Sequence, residues 1–253
     1  MSLLDVQNVS VRFGGILALD SLSFAIEDGQ ICGLIGPNGA GKTTLFNVVS
    51  RIYQPFEGRV LFRGEDLLAV PAHAIASHGV ARTFQNLALF PTMTLLENVM
   101  VGAHCQGSAG FTRSALRLAT RREERRIRGE AGDLLARLDL ADLAHRPAAG
   151  LPFGTLKRLE LARALAAKPA FLIMDEPASG LTHGEVDELG ALVVSIRNEF
   201  GLTVLLVEHH MAMVMGISDK VVAMEFGRTI AEGLPAEVQN DPHVIAAYLG
   251  SDV

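Results

Sequence analysis

The stretch Ile31 to Thr44 constrains the fold more than any other part of this 253-residue chain. Ile31 to Ile35 is a short apolar run, as a buried strand would be. It stops at Gly36. Gly36-Pro37-Asn38-Gly39-Ala40-Gly41-Lys42-Thr43 then fills every fixed position of the pattern G-x-x-x-x-G-K-[ST]. Lys42 to Arg51 reads as helix. Strand, glycine-rich loop and helix in that order build an anion cradle. Glycines let backbone N–H groups turn inward around phosphate oxygens, and a helix N-terminus adds positive potential. Lys42 is then expected to reach the β- and γ-phosphates of a nucleotide. The Thr43 hydroxyl is expected to ligate Mg²⁺, and Thr44 to donate to phosphate. The plainer reading is a glycine turn before a helix. Such a loop implies a nucleotide but not a family.

Composition excludes several classes. With 49% hydrophobic residues the chain is too apolar for disorder. Two cysteines, Cys32 and Cys105, cannot form a disulfide framework and read as ordinary thiols of a reducing compartment. Mean hydropathy is +0.30. Yet no window of about 18 apolar residues runs without charges or Gly and Pro breaks, so no membrane span is expected. Asp5 interrupts a short start without a basic region, so no signal peptide is expected. The apolar content therefore belongs to a core, or to a surface that meets another protein. A net charge of −6 disfavours nucleic acid as a partner. The charge is uneven. Between Arg113 and Arg128 seven arginines face Glu123 and Glu124, a net +5 that leaves −11 elsewhere. The bland reading is a solvated helix face, and the sharper one a surface near lipid head groups or a partner.

Periodicity organises the rest. Leu3 to Val11 and Leu22 to Ile26 read as strands before a turn at Glu27-Asp28-Gly29. Leu95 to Ala148 has helical spacing, with an apolar stripe of Leu134, Leu135, Leu138, Leu140 and Leu143. Phe171 to Met174 and Thr203 to Val207 are buried-strand runs. Val186, Leu189, Leu192, Val193, Ile196 and Phe200 follow helical spacing up to Gly201, placed to cap that helix. Val221 to Glu225 and Arg228 to Glu232 suggest a hairpin around Phe226-Gly227. Pro235 and Pro242 suit the first turns of two terminal helices. The expected architecture is an α/β core with a parallel sheet, an N-terminal antiparallel β layer and a helical insertion.

Both later strands end in polar residues, where ligands of open α/β sheets bind. Phe171-Leu-Ile-Met174 runs into Asp175-Glu176-Pro177. Asp175 would hold Mg²⁺, and Glu176 would orient or deprotonate an attacking water. The alternative is a simple strand-end turn acid. Thr203 to Val207 runs into Glu208-His209-His210. A lone histidine is most often structural. Here one of the pair, assigned as His209, is the expected γ-phosphate contact.

Together these residues resemble the nucleotide-binding subunit of an ABC transporter over essentially the whole chain, 1–253. Gly36 to Thr44 matches its Walker A loop and Asp175-Glu176 the end of Walker B. The resemblance implies that Phe13 stacks on adenine. It implies that Gln85, in Arg82-Thr-Phe-Gln85, senses Mg²⁺ and the neighbouring subunit. His209 matches its switch histidine. Leu151-Pro152-Phe153-Gly154-Thr155 matches the signature motif that caps the ATP of a partner cassette. Pro152 and Thr155 depart from the usual serine and glutamine. Thr182 stands where an aspartate is usual, as does His210.

The resemblance narrows to the ATP-binding subunits of branched-chain amino acid importers. It rests there on Phe13-Gly-Gly15, the Leu-Pro-Phe-Gly signature, Val207-Glu-His-His-Met211, Val214-Met-Gly-Ile-Ser-Asp219 and Asp241-Pro-His-Val-Ile-Ala-Ala-Tyr-Leu249. It implies a P-loop NTPase with a RecA-like core, the N-terminal antiparallel β subdomain, and an inserted α-helical subdomain over about 85–166. It implies ATP and Mg²⁺, a second cassette, two permease subunits and, indirectly, a substrate-binding protein. The expected place is the cytoplasmic face of the cell membrane. The expected activity is ATP hydrolysis that powers uptake of branched-chain or other hydrophobic amino acids. The same cassette serving urea, amides or another cargo is the rival. A soluble ABC ATPase acting on ribosomes or DNA is less favoured, because such proteins usually carry two cassettes or a long coiled coil. A GTPase reading lacks the Asn-Lys-x-Asp guanine motif.

Overall fold

The computed structural model describes residues 2–83, 87–103 and 117–249, with the side chains of 117–121 outside that description. The chain divides into two compact units, Met1–Ile75 with Ala170–Val253, and Ala76–Pro169.

The first unit holds two sheets. The N-terminal one is antiparallel. Strands β1 (Ser2–Phe13), β2 (Ile16–Glu27), β4 (Glu57–Phe62) and the short β5 (Glu65–Asp66) lie in the order β2-β1-β4-β5. Along β1, Leu4, Val6, Val9 and Val11 are buried, and bulges shift the register against β2. The β2 strand begins at Ile16 rather than at Leu22. The two-residue turn Gly14-Gly15 closes the hairpin directly, so Phe13 pairs with Ile16.

The second sheet carries β3 (Ile31–Ile35), β7 (Phe171–Asp175), β8 (Thr203–Val207), β9 (Lys220–Glu225) and β10 (Arg228–Gly233). Its order within this unit is β10-β9-β3-β8-β7. The pairs β3/β8, β3/β9 and β7/β8 are parallel, whereas β9 and β10 form an antiparallel hairpin. Every residue of β3, β7 and β8 is buried, which is why these strands read as continuous apolar runs. Cys32 sits in β3, and burial pushes its thiol up to about 12, so it is inert packing. Cys105 lies outside the described residues.

Helix α1 (Lys42–Val49) follows the glycine loop. Helix α5 (His183–Phe200) buries Val186, Leu189, Val193 and Ile196 as one stripe and ends where Gly201 turns left-handed at φ 62°. Helices α6 (Met211–Ile217), α7 (Pro235–Gln239) and α8 (Pro242–Leu249) complete the unit. Val214, Val238 and Val244 from these three pack with Ile35, Val221 and Ala223 of the sheet.

The second unit contains the short strand β6 (Val80–Arg82) and helices α2 (Leu95–Gly102), α3 (Arg117–Arg137) and α4 (Phe153–Leu165). Leu134, Leu135, Leu138 and Leu140 of the apolar stripe are buried, and Leu143 is half-buried. Arg122, Arg125, Arg126 and Arg128 point to solvent. Arg126 pairs with Glu130 at 2.7 Å, and Arg128 lies 3.6 Å from Glu124. The described part of the arginine run is therefore a solvated face carrying i,i+4 pairs, which are weak when exposed. Among the described residues no helix is long and apolar enough to cross a membrane.

Candidate functional site

Sheet register gathers the site. Leu34 pairs with Val207, and Val207 with Asp175, so three neighbouring parallel strands end at one level. The glycine loop leaves β3 there, Asp175-Glu176 ends β7, and Glu208-His209 ends β8. This is the carboxyl edge of the sheet, where α/β folds bind ligands.

The loop is tightly set. Gly36 has φ 151°, and a Cβ there would come 2.2 Å from the Met224 carbonyl oxygen, so only glycine fits. The Gly227 N–H donates to the Ala40 carbonyl and the Asp20 N–H to the Gly227 carbonyl, which ties the loop to the β9–β10 turn and to β2. Lys42, only 8% exposed, folds its ammonium back onto the carbonyls of Gly36 (2.6 Å) and Pro37 (3.0 Å). Burial lowers its pKa from 10.5, and the charges of Glu176 and then Asp175 pull it back up. The lysine thus sits within the field of both acids. Thr43 is exposed and Thr44 half-buried on the first turn of α1.

Asp175 is buried, while Glu176 has φ 47°, an unusual left-handed conformation for a side-chain-bearing residue. The Glu176 N–H donates to the Val207 carbonyl at 2.9 Å. Its Oε1 lies 2.9 Å from His209 Nε2. Of the two adjacent histidines, His209 faces the glutamate. His210 is instead the N-cap of α6, with its ring edge-on to His183.

Glu208 went unassigned in the sequence reading. It is 2% exposed, and both carboxylate oxygens accept from backbone N–H groups. Oε1 accepts from the Ala178 N–H at 2.5 Å, and Oε2 from the N–H groups of His209 (2.9 Å) and His210 (3.3 Å). It joins the turn after Glu176 to the turn carrying His209. Its only sequence signal was its place at a strand end.

Phe13 is 44% exposed at the tip of β1 and meets Tyr53 edge-on, ring centroids 5.0 Å apart. Tyr53, which sequence patterns do not single out, stands at 68° to the Phe13 ring. Thr182 is the N-cap of α5. Its N–H and its hydroxyl both donate to the Glu185 carboxylate at 2.8 Å, a hydroxyl donation that an ionised aspartate could not make.

In the second unit, Leu151 to Thr155 leads into α4. Pro152 is the N-cap in an extended conformation, and no side chain caps this helix start. The first-turn N–H groups, Gly154's included, are therefore left for an external acceptor. Phe153 is exposed, and the Lys157 ammonium lies 5.4 Å from its ring centre. Asn98, fully buried on α2, was not read as important. Its side chain accepts from the Phe90 N–H and donates to the carbonyls of Phe90, Met93 and Thr94, pinning a turn that exposes Phe90 and Met93. Gln85 lies outside the described residues.

The donor set suits a hard divalent cation. Among the described residues no three His, Cys, Asp or Glu side chains cluster to hold a metal alone. Asp175 and the Thr43 hydroxyl offer oxygen ligands, as Mg²⁺ prefers when substrate phosphates complete its shell. A glycine-rich loop before a helix, a strand-end acid pair and a facing histidine at one sheet edge place the fold in the class of P-loop ATPases.

Comparison with known proteins narrows the class. The ABC transporter family profile matches residues 19–179, and that of the branched-chain amino acid ATP-binding cassette transporter matches 228–253. The high-affinity branched-chain amino acid transport ATP-binding protein BraF of Pseudomonas aeruginosa is 42% identical over 249 residues, 98% of each chain. The corresponding LivG of Escherichia coli K12 is 41% identical over the same share. A crystal structure of a nucleotide-free ATP-binding cassette from an ABC transporter superposes with TM-score 0.85 at 32% identity. It covers 98% of this chain and 99% of its own. The chain belongs to the ABC transporter family, as an ATP-binding cassette.

Proposed function

We propose that this chain is the ATP-hydrolysing subunit of an importer for branched-chain or other hydrophobic amino acids, attached to the cytoplasmic face of the membrane through separate permease subunits. The observation that carries the reading is the contact between Glu176 and His209 beside the buried Lys42 of the phosphate loop. The cargo reading is supported by the names of relatives such as BraF and LivG, aligned over 98% of the chain.

Adenine stacks on the exposed ring of Phe13. Loop N–H groups from Gly36 to Thr44 take the phosphates, and Lys42 exchanges the carbonyls of Gly36 and Pro37 for β- and γ-phosphate oxygens. Thr43, Asp175 and Gln85 would hold Mg²⁺, which neutralises charge on those oxygens when bound. Glu176 accepts the proton of the attacking water, and His209 holds that carboxylate in place while contacting the γ-phosphate. The whole chain acts as one cassette, with the unit Ala76–Pro169 as the inserted helical subdomain. One chain carries one site and one signature, so Leu151 to Thr155 caps ATP on a second cassette through the open start of α4. The turn exposing Phe90 and Met93 is the docking face for the permease.

Purification with the membrane subunits that accompany it, followed by uptake into vesicles, tests this. ATP-dependent accumulation of labelled leucine supports the reading. Accumulation of urea without leucine would replace the cargo, and absence of ATP hydrolysis would remove the mechanism.

A further inference from the structure

The C-terminal helix α8 reaches the phosphate loop through one polar contact. The Gly36 N–H donates to the Tyr248 hydroxyl at 2.8 Å, across 212 residues of sequence. Gly36 is thereby held at both polar atoms by side chains, Tyr248 at its N–H and Lys42 at its carbonyl. Its α-carbon cannot retreat, because the Met224 carbonyl fills the space a Cβ would need. The tyrosine is itself fixed. It packs against the cluster of Ile35, Val221, Val238 and Val244 and lines a cavity of about 540 Å³ with Met211 and Met215. Burial pushes its phenol above the ordinary value of 10.0, against the pull of the Gly36 N–H, so the hydroxyl stays neutral at working pH.

We propose that Tyr248 is a positioning residue for the phosphate loop, through which the C-terminal helix sets affinity for ATP. The inference rests on the nucleotide reading above. When Lys42 moves to phosphate it releases the Gly36 carbonyl, and one of the two side-chain clamps on that residue is gone. The Tyr248 hydroxyl then holds the pivot at which strand β3 becomes loop. Without it the loop samples more conformations, and ordering them on binding costs affinity. Chemistry at Glu176 does not pass through this contact.

The test uses the full chain and ATP in excess EDTA, so that binding is read without turnover. Tyr248→Phe keeps the ring and its packing and removes the hydroxyl that accepts from the Gly36 N–H. Titration calorimetry should show Kd for ATP raised about three- to tenfold, with Tm lowered by about 2–10 °C but the chain still folded at the assay temperature. In a Lys42→Ala background the penalty should be at least as large, because the lysine's hold on the Gly36 carbonyl is then missing in the free chain as well. An unchanged Kd in Tyr248→Phe would overturn the proposal, as would a penalty that disappears in the Lys42→Ala background. If the unmodified chain does not bind ATP, the nucleotide reading itself fails, a result distinct from either.

Discussion

His209 Nε2 lies 2.9 Å from Glu176 Oε1, across the ends of two adjacent parallel strands. The contact needs both strands to stop at the same level, which the pairing of Asp175 with Val207 ensures. It also needs the left-handed turn at Glu176, φ 47°, which lifts that side chain out of the line of its strand. Asp175 keeps the strand conformation and stays buried. One acid is thus held at the sheet edge and its neighbour is turned toward the histidine. Two consecutive carboxylates acquire different surroundings from backbone geometry alone.

Glu176→Gln keeps the shape of the site and removes the base. Turnover in the assembled transporter should fall about 10²- to 10⁴-fold, the usual worth of a positioned general base. ATP affinity should stay within about threefold, because Lys42 and the loop still take the phosphates. Steady-state ATPase assays with a parallel binding titration measure both, and substantial residual hydrolysis would remove Glu176 as the base.

Glu208→Gln probes the carboxylate that joins the turn after Glu176 to the turn carrying His209. An amide keeps one acceptor oxygen and sets an NH₂ group against backbone N–H donors at the other. The mismatch in a buried setting should cost roughly 1–3 kcal/mol of stability. kcat should drop as Glu176 and His209 lose register, with ATP binding retained. Urea denaturation and steady-state kinetics separate the two effects. A variant with unchanged midpoint and unchanged kcat would make Glu208 a bystander.

What the sequence disclosed and what it hid divide along the range of the contact involved. The phosphate loop, the strand ends at Asp175 and Val207 and the cap at Gly201 are local patterns, and each is legible in a window of ten residues. The strand Glu57–Phe62 is not, because Glu57, Gly58 and Arg59 are exposed and mask a short apolar end. Asn98 looks like a helix surface residue until its bonds to Phe90, Met93 and Thr94 are seen. Glu208 and Tyr248 act on backbone 30 and 212 residues away, distances at which periodicity carries no signal. Thr182 departs from the expected aspartate, and its hydroxyl donates to Glu185 where a carboxylate could only accept.

The cap at α5 also makes a pH prediction. The Thr182 N–H, and then its hydroxyl, hold the Glu185 carboxylate below its ordinary value of 4.5. A carboxylate depressed in the folded state contributes stability that is full above the unfolded value and is lost as pH falls through the folded one. The difference in denaturation midpoint between the unmodified chain and Glu185→Gln should therefore be present at pH 7 and vanish as the medium becomes more acidic than the folded value. A difference that persists undiminished at about pH 2 would mean that the charge has no part in the cap.

Phe13 and Tyr53 should behave as platform and support. Phe13→Ala removes the surface on which adenine would lie, and stacking of a base on an aromatic ring is worth about 1–3 kcal/mol. KM for ATP should rise about 5- to 100-fold, with kcat at saturation within about twofold, because the phosphates and Glu176 are untouched. Tyr53→Leu leaves the platform and removes the edge contact at 5.0 Å. It should raise KM by less, about two- to fivefold, the usual worth of an aromatic pair being 0.5–1.5 kcal/mol, of which leucine recovers part. The double variant should resemble Phe13→Ala, since a support matters only while the platform stands. Additive losses would show instead that Tyr53 touches the base on its own account.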